Sequence, residues 1–199
     1  MTELYAIVGN MERARLMLDA GVPYLQLRFK ETPLVDHQSE IEEWTETYPT
    51  TRLVINDDLV FAESVGAWAV HLGQEDLERY TKKQLRKTPV NLGISTHTDA
   101  EIETALRYNP VMLGFGPIFP TTTKHLRHHP QGIYRLGDIV ANTPLPIVAI
   151  GGINADNLDS VLQTHVDMVA MISFLDQFST AKEVISFMDQ MKSPQTEPV

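Results

Sequence analysis

The sequence contains no cysteine. Disulfides, thiolate metal sites, iron–sulfur clusters and cysteine nucleophiles are therefore all excluded. It also has no uninterrupted apolar run near the roughly 18 residues that a transmembrane helix requires. Its first ten residues lack the basic and then apolar pattern of a secretory signal. We therefore expect a cytoplasmic protein that has no membrane partner.

Positive charge is scarce: 16 lysine and arginine residues stand against 26 aspartate and glutamate residues, which gives a formal net charge of −10. Proteins that bind duplex nucleic acid normally carry an excess of basic residues, so we expect no nucleic-acid partner. Hydrophobic residues make up 43% of the 199 residues, which excludes a disordered chain. We expect a single barrel domain over residues 1–193 and a disordered tail over 194–199.

Eight short apolar segments, rich in β-branched and aromatic residues, recur along the chain between helix-like stretches. Their lack of strict polar alternation is typical of strands that are covered on both faces in a parallel sheet. Eight strands that alternate with helices predict a (β/α)8 TIM barrel, and the rival doubly wound open sheet would need fewer strands or a second domain. Because the connection between residues 30 and 52 is short, we expect a stunted second helix. The predicted strands are 4–8, 24–29, 52–56, 67–73, 91–97, 111–118, 146–152 and 168–174.

Polar residues collect where these strands end, which is where a barrel of this type carries its active site. Alternation along strand two would point Gln26, Arg28 and Lys30 to one side. Arg28, Lys30 and Lys124 are cations from two loops, and such a set suits a diphosphate better than a neutral ligand. Asp57 and Asp76 follow neighbouring strands and could hold Mg²⁺ together with substrate phosphates. Two glycines after strand seven could form a second phosphate site. The sequence therefore predicts an enzyme that acts on small phosphorylated molecules.

Each of these features has a simpler interpretation when it is taken alone. Asp57 and Asp76 each precede a predicted helix and could be helix caps. Arg28 and Lys30 could be a solvated strand end, and a Gly-Gly pair is more often part of a turn. The functional interpretation rests on their joint placement at one rim of the barrel. Polar residues that are merely exposed would not be expected to collect there.

Five histidines lie near the predicted rim. His71 and His97 flank strand ends, and we interpret them as structural hydrogen-bonding residues. His125, His128 and His129 fall in a loop-like segment whose spacing does not indicate a metal geometry, so we expect no transition-metal site there.

Six motifs at the strand ends together resemble the thiamine phosphate synthase family. They occur in the family's order, and the resemblance spans residues 4 to about 173, which is nearly the whole chain. Any one of them would be weak, but the set is specific. The motifs are Gln26-Leu-Arg28-Phe-Lys30, Ile55-Asn56-Asp57-Asp58, His71-Leu-Gly-Gln-Glu-Asp76, Gly93-Ile-Ser95-Thr-His97, Gly116-Pro-Ile-Phe-Pro-Thr121-Thr-Thr123-Lys124 and Ala149-Ile-Gly-Gly152-Ile.

The family joins a hydroxymethylpyrimidine diphosphate to a thiazole phosphate, or its carboxylated precursor, and releases pyrophosphate with the help of Mg²⁺. The resemblance implies that Mg²⁺ is bound by Asp57 and Asp76. It implies a pyrimidine diphosphate site made of Gln26, Arg28, Lys30, Asn56, Ser95 and Lys124, of which Arg28, Lys30, Ser95 and Lys124 are catalytic. It implies a thiazole phosphate site made of Thr121, Thr122, Thr123, Gly152, Ile172 and Ser173. It also makes a homodimer an expectation.

Two other functions stay open. A thiazole tautomerase relative shares the barrel, but proteins that resemble that branch lose the Asn-Asp and acidic metal positions and use a histidine in the sixth-strand loop. Here Asn56, Asp57 and Asp76 are present, and Pro117 follows the sixth strand. The other alternative is a barrel that binds a phosphorylated ligand without catalysis, as a sensor or storage protein. The metal pair together with Lys124 favours the synthase, because simple binding would not need it.

Overall fold

Eight parallel strands form a closed barrel in the computed structural model, which describes residues 1–121 and 129–192. Each strand pairs with the next one along the chain, and β8 pairs with β1. The expected (β/α)8 barrel is therefore confirmed. The strands are β1 (Glu3–Val8), β2 (Tyr24–Leu27), β3 (Arg52–Asn56), β4 (Ala69–Leu72), β5 (Asn91–Thr96), β6 (Met112–Phe115), β7 (Ile147–Ile150) and β8 (Met168–Met171).

Helices follow the strands, and five of them begin after residues whose side chains accept a backbone hydrogen bond. Asn10, Asp58, Thr81, Thr98 and Thr180 each accept from the N–H three residues later. This satisfies a donor that the first helical turn would otherwise leave without a partner. In the described part of the chain the helices are α1 (Met11–Asp19), α2 (Gln38–Thr47), α3 (Leu59–Ser64), α4 (Gln74–Leu77), α5 (Lys82–Lys87), α6 (Asp99–Leu106), α7 (Gly132–Asn142), α8 (Leu158–Leu162) and α9 (Ala181–Lys192). None of them is long and apolar enough to cross a membrane.

Successive residues of each strand point to opposite sides of the barrel wall. One set packs under the helices and forms the outer core, which includes Leu25, Leu27, Ile55, Leu72 and Ile94, all fully buried. The other set fills the interior of the barrel and includes Tyr5, Tyr24, Val54, Ala69, Met112, Val148 and Met168. Because both faces of every strand are covered, the strands appear in the sequence as nearly continuous apolar runs.

Aromatic side chains and one arginine close the amino-terminal end of the barrel. Arg52 Nη1 donates a hydrogen bond of 2.6 Å to the Tyr24 hydroxyl. The Arg52 guanidinium lies 4.9 Å from the Tyr24 ring centre and 5.4 Å from that of Trp68. Tyr24 also stacks on Tyr5, with ring centres 5.6 Å apart. The interior therefore opens toward the carboxyl ends of the strands.

Three details differ from the organisation expected from the sequence. Several strands are shorter than their apolar runs. Phe29 and Ile118, for example, lie in loops and are apolar because they pack against the outer core. The second helix is not stunted: α2 has ten residues, since a 3-10 turn over Leu34–His37 leads directly into it. The connection from β4 to β5 contains two short helices, α4 and α5. The expected tail over 194–199 lies outside the described residues.

Candidate active site

A cavity of about 370 Å³ opens at the carboxyl ends of the strands. Residues from all eight strands, or from the loops directly after them, line it. This is the end at which barrels of this type carry their active sites. The cavity brings together ten of the predicted site residues: Gln26, Arg28, Asn56, Asp57, Asp76, Ser95, Thr121, Gly152, Ile172 and Ser173.

Lys30 is a predicted site residue that does not line this cavity. It lines a second cavity of about 340 Å³, together with Arg28, which lines both cavities. Alternation along the strand predicts that Gln26, Arg28 and Lys30 face the same side. β2 ends at Leu27, so the regular alternation does not extend to Lys30, which borders the second cavity and not the first.

Part of the predicted site falls outside the described residues. This applies to Thr122, Thr123 and Lys124, and also to His125 and His128. The neighbouring His129 is described: it is exposed, and its carbonyl accepts a 3.2 Å hydrogen bond from Gln131 Nε2.

Asp57 and Asp76 both line the cavity, and their carboxyl groups lie close enough for each to affect the ionisation of the other. Burial raises the pKa of Asp57 to about 6 from its ordinary value of 3.8, and repulsion by Asp76 adds to the rise. A hydrogen bond from Asn56 and the charge of Arg28 lower the pKa, but they do not offset the larger causes. Two acidic groups that repel each other in this way suit a bound cation.

The backbone positions both carboxylates. Asp57 has φ of 64°, in the left-handed region that Asp and Asn tolerate better than most residues. Asp76 lies in the first turn of α4, where its Oδ2 accepts from the Gly73 N–H at 3.1 Å and its Oδ1 lies 2.9 Å from Arg79 Nη1. The helix-cap interpretation is therefore partly right for Asp76. It is wrong for Asp57, because Asp58 caps α3.

The donor set at this edge fits Mg²⁺ better than a transition metal. No group of three or more His, Asp or Glu side chains within residues 1–121 and 129–192 could hold a metal ion. Structural and catalytic zinc sites need three or four protein ligands. Proteins hold Mg²⁺ through one or two carboxylates, and waters and substrate phosphates complete the coordination. Asp57 and Asp76 fit that second arrangement when a phosphorylated substrate is present.

Ser95 forms hydrogen bonds with His71 of β4 and with Gln74, which follows this strand. Its Oγ lies 2.9 Å from His71 Nε2, and its carbonyl accepts from Gln74 Nε2 at 2.6 Å. At the end of β5, His97 donates its Nδ1–H to the Gly116 carbonyl at 2.5 Å. Both histidines line the cavity and make structural hydrogen bonds of the kind that the sequence predicts.

Gln26 points into the barrel and is almost fully buried. Its Nε2 donates a 2.9 Å hydrogen bond to the hydroxyl of Tyr5. Tyr5 is itself buried, and this burial raises the pKa of its phenol, so the group stays protonated. The pair forms a polar patch at the inner end of the cavity, where a ring nitrogen or an amino group could find hydrogen-bond partners.

The loops after β6 and β7 pack backbone against backbone beside the cavity. The Phe119 N–H donates to the Gly151 carbonyl at 2.9 Å, and Asn157 Nδ2 donates to the Gly152 carbonyl at 2.9 Å. Gly152 has φ of 70°, and a Cβ there would lie 2.5 Å from the Pro120 carbonyl oxygen. This position therefore requires glycine, and its bare backbone lines the cavity.

Ser173 begins a 3-10 turn after β8, and an arginine of α1 holds the far end of that turn. Arg13 Nη1 donates to the Phe178 carbonyl at 2.6 Å, and Nη2 donates to the Leu175 carbonyl. The Arg13 side chain is only 17% exposed, and its Nε lies 4.0 Å from the Asp176 carboxylate. This contact joins the first helix to the loop that carries Ser173.

Comparison with known proteins identifies the family. The family model for thiamine monophosphate synthase matches residues 4–175. The chain belongs to the thiamine monophosphate synthase family. The resemblance drawn from the motifs is therefore confirmed, and with it the expectation of an enzyme.

Individual members of the thiamine monophosphate synthase family are similar over most of their length. A thiamine-phosphate synthase of Cronobacter sakazakii is 39% identical over 178 residues, which cover 87% of this chain and 84% of that relative. One from Yersinia pestis is 40% identical over 174 residues, which cover 85% and 80%. The solved structure of thiamine phosphate pyrophosphorylase from Pyrococcus furiosus matches with a TM-score of 0.80 at 27% identity and covers 95% of this chain and 94% of that one.

Tyr5 and Arg79 are two polar residues of the cavity that the motifs of the thiamine monophosphate synthase family did not indicate. Tyr5 is part of an apolar run in the sequence, which hides its polar hydroxyl. In the barrel it pairs with Tyr24 of β2, which faces inward. Arg79 lines the cavity three residues after Asp76, just beyond the end of α4, and this spacing of opposite charges could have indicated their ion pair.

Proposed function

We propose that this chain couples hydroxymethylpyrimidine diphosphate with thiazole phosphate, or its carboxylated precursor, to give thiamine phosphate and pyrophosphate. One observation supports the proposal most directly. A single cavity is lined by members of both predicted sets: Gln26, Arg28, Asn56 and Ser95 from the diphosphate site, and Thr121, Gly152, Ile172 and Ser173 from the site for the second phosphate. A protein that only binds one phosphorylated ligand would not need the two groups to face the same space.

The pyrimidine would bind at the inner end of the cavity, near Gln26 and Ser95. The side-chain amide of Gln26 donates a hydrogen bond to Tyr5, and its carbonyl oxygen can accept one from an amino group of the substrate. The diphosphate would extend outward to Arg28, Asn56 and the two carboxylates that hold the metal. This orientation places the reactive methylene between the ring and the rim.

The reaction breaks the bond between this methylene and the diphosphate oxygen, and the electron pair leaves with pyrophosphate. The aminopyrimidine ring spreads the positive charge that develops on the methylene. Arg28, Lys30 and Lys124 are proposed to stabilise the negative charge that develops on the leaving group. Fixed cations of this kind are more effective in a preorganised site than in water. The lone pair of the thiazole nitrogen then forms the new carbon–nitrogen bond.

The thiazole phosphate would be held at the opposite side of the cavity. Gly152 offers a bare backbone there, and Ser173 lies on the loop that Arg13 fixes to the first helix. Thr121, Thr122 and Thr123 are proposed to complete this site. Holding the nucleophilic nitrogen close to the methylene turns a bimolecular step into one within a complex. No protein nucleophile is required.

Mg²⁺ is proposed to bind to Asp57 and Asp76 together with oxygens of the diphosphate. When it is bound, it supplies positive charge against the leaving pyrophosphate. The raised pKa of Asp57, which is caused by burial and by repulsion from Asp76, supports this assignment.

The test is a turnover assay with purified protein, both substrates, and either Mg²⁺ or a chelator. Metal-dependent formation of thiamine phosphate and pyrophosphate in equal amounts is the expected result. Binding of both ligands with no product would contradict the proposal and favour a non-catalytic barrel. Isomerised thiazole phosphate without coupling would instead favour a tautomerase.

A further inference from the structure

A buried histidine inside the barrel contacts Ser95 but has no role in the proposed reaction. His71 is 9% exposed, and its ring lies edge-on to that of Tyr5, with ring centres 6.4 Å apart. Its Nε2 is 2.9 Å from the Ser95 hydroxyl oxygen, which is a normal hydrogen-bond distance. An imidazole that is buried in the barrel loses solvation, so this position calls for a specific hydrogen-bonding function.

Two neighbouring strands leave room for this ring. A Cβ at Gly93 would lie 2.8 Å from His71 Nδ1, and one at Gly114 would lie 3.2 Å from His71 Cε1. Gly93 faces His71 directly in the β4–β5 register, and Gly114 lies opposite Ser95 in the β5–β6 register. Any larger residue at Gly93 would have to displace the imidazole. The two glycines therefore leave the space that the ring occupies beside the Ser95 side chain.

The backbone of Ser95 is fixed separately. It belongs to β5, and its carbonyl oxygen accepts the 2.6 Å hydrogen bond from Gln74 Nε2. Removing the imidazole would therefore leave the Ser95 Cα in place. What would change is the torsion of the hydroxyl group, which otherwise rotates among three staggered positions.

We propose that His71 is a positioning residue that holds the Ser95 hydroxyl in the rotamer needed to contact the pyrimidine substrate. The inference rests on the proposed function, because it takes Ser95 as the group that contacts this substrate. His71 acts through Ser95 and not on the reacting atoms. Its effect should therefore disappear when the serine hydroxyl is absent.

The test is a double-mutant cycle on the steady-state kinetics of the full chain. His71→Met removes the hydrogen bond and fills similar space, whereas the side-chain amide of His71→Gln can reach the same place and can either donate to the Ser95 hydroxyl or accept from it. We expect His71→Met to lower kcat by about tenfold, which is the effect of losing one well-placed hydrogen bond. We expect His71→Gln to stay within about threefold of the parent protein, because the hydrogen bond is restored.

The Ser95→Ala background decides between positioning and direct action. If His71 acts through Ser95, the double variant Ser95→Ala/His71→Met has the same kcat as Ser95→Ala. Additive losses would overturn the proposal, because they would mean that His71 contacts the substrate itself or only supports the fold. A His71→Gln variant as slow as His71→Met would also overturn it.

A spectroscopic readout separates this proposal from the proposed function. Two-bond ¹H–¹⁵N correlation spectra report the ring nitrogens of each histidine, and the His71 signals are those lost in His71→Gln. Ser95→Ala should shift the Nε2 signal of this ring. An unchanged signal would refute the contact even if the enzyme is active. A shifted signal in a protein that fails to couple the substrates would leave the contact standing and reject the function.

A pair of glycine variants gives a matched control. Gly93→Ala pushes on the imidazole, so we expect it to lower kcat by several-fold. Gly137→Ala adds the same methyl group on α7, where nothing lies within 4 Å of the new Cβ, and should leave kcat unchanged. Equal losses in the two variants would contradict the role of the space around His71.

Discussion

Asp57→Asn should stabilise the metal-free protein while it weakens the binding of Mg²⁺. Asp57 is half-buried and carries a raised pKa because it is desolvated and repelled by Asp76. Asparagine keeps the shape of the side chain and tolerates φ of 64°, so the substitution removes the charge with little strain on the backbone. The stability of the apo protein should rise because the repulsion between the two carboxylates is gone.

The shift in pKa sets the size of the effect. The pKa of Asp57 moves from 3.8 to about 6, and each unit corresponds to about 1.4 kcal/mol between the ionised and neutral forms. Because solvent screens a half-buried side chain, we reduce this to about 1–2 kcal/mol in the free energy of unfolding. For a chain of this length, that corresponds to a rise of about 2–8 °C in Tm.

The pH dependence has a definite sign. The folded-state pKa of Asp57 lies above its ordinary value, so ionised Asp57 destabilises the fold above about pH 6. This cost disappears as the pH falls from about 6 toward 3.8. The advantage of Asp57→Asn should therefore be largest at neutral pH and vanish under acidic conditions.

Thermal or urea unfolding in the presence of a chelator measures this difference, and two variants serve as controls. Asp58→Asn makes the same chemical change one residue later, where asparagine caps α3 as well as aspartate does, and it should bring no gain. Asp57→Ala also removes the charge, but its left-handed backbone should cost about 1–2 kcal/mol relative to asparagine. An Asp57→Asn protein no more stable than Asp58→Asn at neutral pH would refute the reasoning.

Three further predictions concern contacts around the cavity. Arg13→Lys replaces a two-pronged donor with a single ammonium group, which should loosen the loop that carries Ser173 and raise KM for thiazole phosphate by about tenfold. An equal rise in KM for the pyrimidine diphosphate would contradict a local effect. Gly116→Ala should destabilise the protein by about 3 kcal/mol or more, because the new Cβ would lie 2.1 Å from the Ile150 carbonyl oxygen. A Tm close to that of the parent would show that the backbone at residue 116 can move away from the end of β7. Arg79→Gln frees one carboxylate of the acidic pair from its guanidinium, so it should tighten Mg²⁺ binding by up to about fivefold in calorimetric titration. Weaker binding would mean that Arg79 prepares the site and does not compete with the metal.

Much of the site could be predicted because strand order and strand alternation are local properties. Gln26 and Asn56 lie on inward-facing positions of consecutive strands, and Ser95 does so two strands further on. In a closed parallel barrel, the carboxyl ends of all strands meet at one rim. Residues far apart in the chain, such as Asp57 and Asp76, therefore come into contact once the number of strands is known.

Strand alternation does not predict the position of the Lys30 side chain. Alternation holds only while the backbone is extended, and β2 ends three residues before Lys30. The direction of a side chain in a loop depends on packing against other elements, which the local pattern does not record. Lys30 consequently lines the neighbouring cavity.

By itself, the sequence determined the barrel, the family and the end of the barrel that carries the site, because these follow from the period of apolar residues and from motifs at strand ends. Only the tertiary structure decided how the site is supported. The Arg13 contact with the loop after β8 joins residues more than 160 positions apart. The fit of His71 beside Gly93 depends on the register between two strands. Such contacts arise when the barrel closes and sets the distance between its strands, and no pattern within one strand or helix encodes that distance.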